Sequence, residues 1–208
     1  MHGPADLPHD ISEAKRRLIV RRAREHFISE GYAATRMEPI AREAGVSTAT
    51  LYILFSGKAA LFSAVIDDAA EDFARRMDGV RAVEGDARAT LTSFAEAYAG
   101  FMGEPFVRSV FRLVIAERPR MEAVALRFFD KGRTEFGGAL IAALERLSGS
   151  GALKPLERPS WAAGQLMGMI EHPVFLVPLV TGEEVRARRS PAEVAGAAVE
   201  TFLARYGA

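Results

Sequence analysis

The sequence predicts an all-α fold of about nine helices. Apolar residues recur at the three-and-four spacing of an amphipathic helix instead of alternating as they do in a half-buried strand. The chain contains no Asn, so Asn-Gly hairpin signals are absent, whereas Gly, Pro and Ser separate the periodic stretches. The 208 residues are 49% hydrophobic and 26% charged, which suffices for one sizeable core or two small ones.

The first predicted helix begins at Ile11 and follows a tail of residues 1–10, which has no long apolar run and reads as flexible. The three-and-four spacing of this helix is set by its apolar side chains at Ala14, Leu18, Ile19, Ala23 and Phe27. Arginines and Lys15 fill its other faces, and Gly31 supplies a left-handed stop.

Two short helices are predicted next from their capping signals. Thr35 and Glu38 have the spacing of a capping box at the start of the second helix, which Gly45 ends. Ser47 is the expected N-cap of a third helix that reaches about Phe55. Ser56 is the expected N-cap of a fourth helix that begins near Lys58.

The rest of the chain is predicted to form longer helices, separated by Gly, Pro and Ser segments. Their expected ranges are 58–82, 87–103, 105–117, 121–147, 160–181 and 191–206.

The second and third helices and the tight turn Ala44-Gly45-Val46-Ser47 have the layout of a helix-turn-helix. In that motif the second helix enters the DNA major groove with its N-terminal residues toward the bases. Thr48, Thr50 and Tyr52 are therefore candidate DNA contacts, together with Arg36. Between residues 10 and 60, nine basic residues outnumber six acidic ones, although the whole chain has no net charge.

At these positions the sequence resembles the tetracycline-repressor (TetR) family of transcription regulators. The resemblance is carried in register by Ala23, Phe27, Gly31, Tyr32, Thr35, Ile40, Ala41, Ala44, Gly45, Val46, Ser47, Thr50, Leu51, Tyr52, Phe55, Lys58, Leu61 and Phe62. It implies a three-helix DNA-binding domain, a C-terminal helical domain that binds a small molecule and dimerises, and DNA contacts by Ser47, Tyr52 and Lys58. The chain departs from the family pattern at Thr48, Ala49 and Ile53-Leu54, which removes phosphate anchors.

The sequence from Arg112 to Glu117 and from Gly151 to Leu153 also resembles the C-terminal domain of an AefR-like subgroup. The expected organisation is a tail over 1–10, a DNA-binding domain over 11–57 and a ligand-binding and dimerisation domain over 58–208, with helix 58–82 linking the two domains. The resemblance implies a homodimer that pairs helices 160–181 and 191–206.

The ligand site is expected among large apolar residues and one charged pair of the second domain. Aromatic side chains could line a cavity or simply fill the core. Glu171 and His172 lie inside an apolar helix, where a carboxylate needs a ligand, an Arg112 or Arg127 partner, or its symmetry mate. The candidates are Phe94, Tyr98, Phe101, Met102, Phe128, Met167, Glu171 and His172.

Several function classes are disfavoured by the residue inventory. The chain has no Cys, its four His lack metal-ligand spacing, and no catalytic or phosphate-loop motif occurs, so we expect no metal, no cofactor and no enzyme. The apolar run from Ser160 to Gly182 is interrupted by Pro173 and Pro178 and contains Glu171, which favours a helix buried at a subunit contact over a membrane span.

The sequence thus predicts a cytoplasmic, ligand-responsive homodimeric regulator, most simply a repressor, that leaves a pseudopalindromic double-stranded operator when a small, largely apolar effector binds. The alternative is a ligand-binding or scaffold protein of the same fold whose DNA affinity is weak or lost, because Thr48 and Leu54 replace residues that anchor phosphates.

Overall fold

The computed structural model describes residues 9–81, 86–182 and 189–208, and helices account for most of them. The all-α prediction is confirmed, since the described residues contain no strand beyond an isolated bridge between Leu153 and Gly207. Most of the predicted tail, residue 82 and the Gly85 separator lie outside the described residues.

The chain forms two compact units. The first contains the chain up to Ala69 and Leu113–Ala125, and the second contains Ala70–Arg112 and Leu126–Ala208. The first unit therefore extends beyond the predicted 11–57 domain, because Leu61, Phe62 and Val65 of the fourth helix are buried.

The N-terminal helices are α1 (His9–Ala34), α2 (Met37–Glu43), α3 (Thr48–Leu54) and α4 (Lys58–Arg81). Gly31 adopts the predicted positive φ of 77°, but it kinks α1 instead of ending it. The turn between α2 and α3 contains Gly45 at a φ of 66°.

Two of the three predicted N-caps are wrong. The Thr35 hydroxyl donates a hydrogen bond to the Gly31 carbonyl at 2.7 Å, so Arg36 becomes the N-cap of α2 and no capping box forms. The Gly57 carbonyl accepts from the Leu61 amide at 3.1 Å, which places Gly57 where Ser56 was expected. Ser47 does cap α3, because its side chain accepts from the Thr50 amide at 3.0 Å.

The first unit is held together by a core of apolar side chains from all four helices. Phe27, Tyr32 and Phe62 form an aromatic cluster with ring centroids 5.1–5.9 Å apart. Ile40 and Leu51 are fully buried and fix α2 and α3 against this core. The outer face of α3 is thereby left exposed.

The C-terminal helices are α5 (Ala87–Met102), α6 (Pro105–Glu117), α7 (Glu122–Gly132), α8 (Gly138–Gly149), α9 (Pro159–Glu171), α10 (Val177–Thr181) and α11 (Pro191–Tyr206). α5 packs against α9 and α11, and α8 packs against α9. α11 begins with a true capping box, in which Ser190 and Glu193 satisfy each other's backbone amides.

Two π-helical turns interrupt the predicted long helices. Arg133–Gly137 joins α7 to α8, and His172–Leu176 joins α9 to α10. In the second turn the Val177 amide donates to the His172 carbonyl, five residues earlier. Pro173 has no amide to donate to the carbonyl group four residues earlier, so one helical hydrogen bond is missing at this turn.

By length and composition, the run Pro159–Thr181 could span a membrane, with a mean hydropathy of 1.3. The helix pair formed by α3 and the first part of α4 meets the same criterion if its 65° bend is allowed. Within one chain, 28% of the Pro159–Thr181 window is buried. Trp161 and Val180 are 66% and 76% exposed.

Candidate nucleic-acid interface and ligand cavity

The surface of α3 is uncharged and partly apolar. Tyr52 and Ile53 are 48% and 75% exposed, whereas Leu51 is fully buried and orients the helix. Thr48 is half-buried. The Ser47 and Thr50 hydroxyl oxygens lie 2.8 Å apart, so these two predicted contact residues already hydrogen-bond each other. The helix can present hydroxyl, phenol and methyl groups to a partner.

Lys58 lies at the start of α4 and is engaged within its own unit. Its Nζ donates to the carbonyl oxygens of Ala33 at 3.1 Å and Thr35 at 3.0 Å, and lies 4.7 Å from the centre of the Tyr32 ring. An ammonium group has three N–H donors, so one remains for a phosphate. Lys58 therefore stabilises the end of α1 in addition to its predicted DNA contact.

The basic surface near α3 is smaller than the sequence implies. The Arg16 guanidinium stacks on the Phe55 ring at 4.6 Å, and Arg22 and Arg24 pair with Glu25 and Asp68 at 2.9 and 3.4 Å. Arg17, Arg21 and Arg36 are exposed. Arg42 on α2 is exposed as well.

His26 connects α1 to α2, a role that sequence reasoning missed. Its Nδ1 lies 2.8 Å from a carboxylate oxygen of Glu30, and its Nε2 lies 3.0 Å from one of Glu43. Burial lowers the pKa of His26, but hydrogen bonds and charge attraction from the two carboxylates outweigh it, so the pKa is raised. The spacing of His26 and Glu30 was the available sequence signal.

The second unit contains a cavity of about 640 Å³. Six of the eight predicted ligand residues line it: Tyr98, Phe101, Met102, Phe128, Met167 and Glu171. The other lining residues are Phe111, Phe129, Gly132, Arg133, Thr134, Phe136, Gly137, Gly138, Ile141, Ser160, Ala163, Gly164 and Phe175. Its volume lies in the range that holds drug-sized ligands.

Phe94 and His172, the other two predicted ligand residues, do not line this cavity. Phe94 is buried and stacks on Tyr98, with ring centroids 5.6 Å apart and an interplanar angle of 19°, and it lines a smaller cavity of about 290 Å³. His172 is exposed, because successive helical residues point about 100° apart and Glu171 takes the inward direction.

Glu171 is paired with Tyr98 rather than with Arg112 or Arg127. The Tyr98 hydroxyl, on a side chain only 2% exposed, donates a hydrogen bond to a Glu171 carboxylate oxygen. Burial raises the pKa of Tyr98 well above its usual value, and the negative charge and hydrogen bond of Glu171 raise it further. Tyr98 therefore remains a donor and fixes the carboxylate.

Phenylalanine rings form much of the cavity wall, and small residues create its space. Phe111 contacts Phe128 and Phe175 with centroids 5.0 and 4.7 Å apart, and Phe101 lies 5.0 Å from Phe136. A Cβ added to Gly132, Gly137, Gly138 or Gly164 would meet nothing within 4 Å. The glycines around the first π turn are the sequence signal for this open space, which helical periodicity alone does not reveal.

Among the described residues, no group of three or more His, Asp or Glu side chains is arranged to hold a metal ion. An exposed helix-turn-helix in one unit and a ligand-sized cavity in another define the class of helical transcription regulators with a separate effector domain.

Comparison with known proteins agrees with this class. Residues 19–65 match the family model described as bacterial regulatory proteins, tetR family, and residues 89–208 match the C-terminal domain of the AefR-like transcriptional repressor. The two matches together cover most of the chain, which belongs to the TetR family of transcriptional regulators. No curated protein sequence matches it.

Several solved structures resemble most of the chain. A TetR-family transcriptional regulator from Mesorhizobium loti is 29% identical with a TM-score of 0.80, covering 95% of this chain and 98% of the other. The flavonoid-responsive regulator FrrA is 25% identical with a TM-score of 0.72, covering 94% and 98%. SmeT in complex with triclosan shares the fold at 18% identity and a TM-score of 0.69, covering 94% and 92%.

Proposed function

We propose that the protein is a homodimeric, ligand-responsive repressor that binds a pseudopalindromic double-stranded operator and is released by a small, largely apolar effector. The observation that carries this proposal is the pairing of an outward-facing recognition helix with a cavity of about 640 Å³ in one chain. The proposed function requires no catalytic group, metal or cofactor. It places the protein in the cytoplasm, where it can reach DNA.

In the proposed complex α3 lies in the major groove. Thr48, Thr50 and Tyr52 face the DNA with their hydroxyl groups, and the exposed Ile53 supplies an apolar contact of the kind that thymine methyl groups make. Arg36, the Ser47 end of α3 and the third donor of Lys58 approach phosphates. Because α3 itself carries no charged residue, phosphate contacts come from the residues that flank it.

The proposed dimer pairs α9–α10 and α11 with their copies in a four-helix interface. Support comes from the apolar side chains that one chain leaves exposed on this run, notably Trp161, Leu176 and Val180. A two-fold axis would place the two recognition helices about 34–36 Å apart or at a multiple-turn spacing. Induction is then a population shift, in which the effector prefers a spacing that the operator cannot accept.

The test is selection of bound duplexes from sheared genomic DNA at low and moderate salt, followed by sequencing. We expect one inverted repeat to be enriched, and Tyr52→Ala to lose it. Tyr52→Phe removes only the hydroxyl group, so a loss of DNA binding in this variant would show that the hydroxyl contacts DNA and that α3 itself is not disrupted. The dimer is tested separately by light scattering, where Trp161→Glu with Val180→Glu is expected to yield monomers.

A protein of the same fold with weak or lost DNA binding is the second candidate. It is favoured by the sequence of α3, Thr48–Leu54, which carries no charged residue, and by the engagement of Lys58 with two carbonyl groups. Absence of duplex binding at low salt in the effector-free protein would support it and exclude the repressor.

A further inference from the structure

The carboxylate of Glu171 lines the cavity, and no described Lys, Arg or His forms an ion pair with it. Within the described ranges its only hydrogen-bonding partner is the neutral Tyr98 hydroxyl. Arg133 also lines the cavity, but its side chain is 67% exposed and lies 3.7 Å from a carboxylate oxygen of Asp130. The negative charge inside the cavity is therefore left for something else to balance.

The unpaired negative charge of Glu171 becomes unfavourable in free energy when a ligand displaces water from the cavity. A carboxylate has about four lone-pair sites, and Tyr98 occupies one of them. An apolar ligand that displaced the cavity water would strand the remaining sites and the charge among phenylalanine rings, which is unfavourable unless the ligand supplies a partner. The lining thus selects for a ligand that carries its own proton donor or positive charge.

The aromatic wall decides between these two possibilities. Phe101, Phe111, Phe128, Phe136 and Phe175 all line the same cavity as Glu171. The faces of aromatic rings carry negative charge density and attract cations, most strongly where water is excluded. A positive group gains from both the carboxylate and the rings, whereas a neutral donor gains only a hydrogen bond and an anion is repelled.

We propose that the cavity recognises lipophilic organic cations, such as hydrophobic amines or onium ions, whose positive centre lies against Glu171 while the apolar body lies against the phenylalanine rings. This inference rests on the proposed function only in treating the cavity as the effector site. Tyr98 acts as a positioning residue, because it holds the carboxylate toward the cavity.

The test is calorimetric titration with probes of matched shape and opposite charge. Tetraphenylphosphonium is paired with tetraphenylborate, and the smaller 4-phenylbutylammonium with 4-phenylbutyrate, so that size alone does not decide the result. We expect the cation of at least one pair to bind, and to bind at least about ten-fold more tightly than its anion.

Glu171→Gln should weaken cation binding by about ten-fold or more, since the amide oxygen still accepts from Tyr98 but the charge is gone. Glu145→Gln is the matched control, because Glu145 is exposed on α8 and does not line the cavity. Tyr98→Phe should weaken binding of the cation more than binding of a neutral apolar probe, naphthalene, because the carboxylate loses the hydroxyl group that positions it.

Equal affinity for cation and anion in both pairs, or an unchanged cation affinity in Glu171→Gln, would overturn the inference. Neither result bears on operator binding, which is measured on the effector-free protein. Conversely, cation binding that depends on Glu171 in a protein that captures no duplex would refute the repressor and leave the ligand class standing.

Discussion

Replacement of Lys58 by Met is expected to destabilise the protein even when no DNA is present. The change removes two charge-assisted hydrogen bonds, to the carbonyl groups of Ala33 and Thr35, and the contact with the Tyr32 ring. Each bond contributes about 1 kcal/mol after allowance for partial exposure, and the ring contact about 0.5 kcal/mol. The unbranched Met side chain retains the apolar part of the lysine stem.

The expected loss in the free energy of unfolding is about 2.5 kcal/mol, the sum of these three contributions. It is measured by urea denaturation at a fixed protein concentration, because the stability of a dimer depends on concentration. Lys15→Met on α1 is the control. A loss below about 0.5 kcal/mol would refute the structural role. On selected operator DNA, the same variant should reduce the salt slope by about one if the third donor reaches a phosphate.

Three further outcomes are expected. The pKa of His26 is raised in the folded protein, so the protonated imidazole stabilises the fold fully below the unfolded value of 6.5, and this contribution is lost as the pH rises through the higher folded value. Urea denaturation from pH about 6 to about 9 should therefore show a larger fall in the free energy of unfolding for wild type than for His26→Gln, and equal falls would contradict this. Gly137→Ala should raise the free energy of unfolding by about 0.5–1 kcal/mol, because alanine favours a helix over glycine. The same variant should weaken binding of the tetraphenylphosphonium cation, because its Cβ enters open cavity space, whereas Gly100→Ala should give the stability gain alone. An unchanged affinity of Gly137→Ala for the cation would contradict this placement of Gly137. Ile53→Ala should weaken the binding free energy by about 1 kcal/mol for a selected duplex that contains thymine, and by little for the same duplex with uracil in its place. Fluorescence anisotropy measures both affinities, and an equal loss on the two duplexes would rule out a contact with the thymine methyl group.

The sequence predicted the helices well because Gly, Pro and Ser mark their ends. Pro105 and Pro191 begin α6 and α11 as expected, and Gly45 forms the turn of the helix-turn-helix. The wrong caps have a physical cause, since Thr35 finds a nearer acceptor in the Gly31 carbonyl, which the kink at Gly31 leaves available. Such a competing partner is invisible without coordinates.

The cavity was predicted in part, and its errors are local. Helical periodicity identifies the buried side chains, but it cannot tell which of them border empty space rather than another side chain. Phe94 is as buried as Phe101, yet it packs on Tyr98 while Phe101 lines the cavity. Phe175 was missed because the π turn after Glu171 changes the angular register of the residues that follow.

The two π turns have a consequence for how relatives of this protein can diverge. Each turn holds one residue more than a regular helical turn, so a single deletion there restores an α-helix and a single insertion creates the turn. Arg133, Thr134, Phe136, Gly137 and Phe175 lie in these turns and also line the cavity. Loss or gain of one codon can therefore change the ligand preference while the helices on either side keep their length and packing.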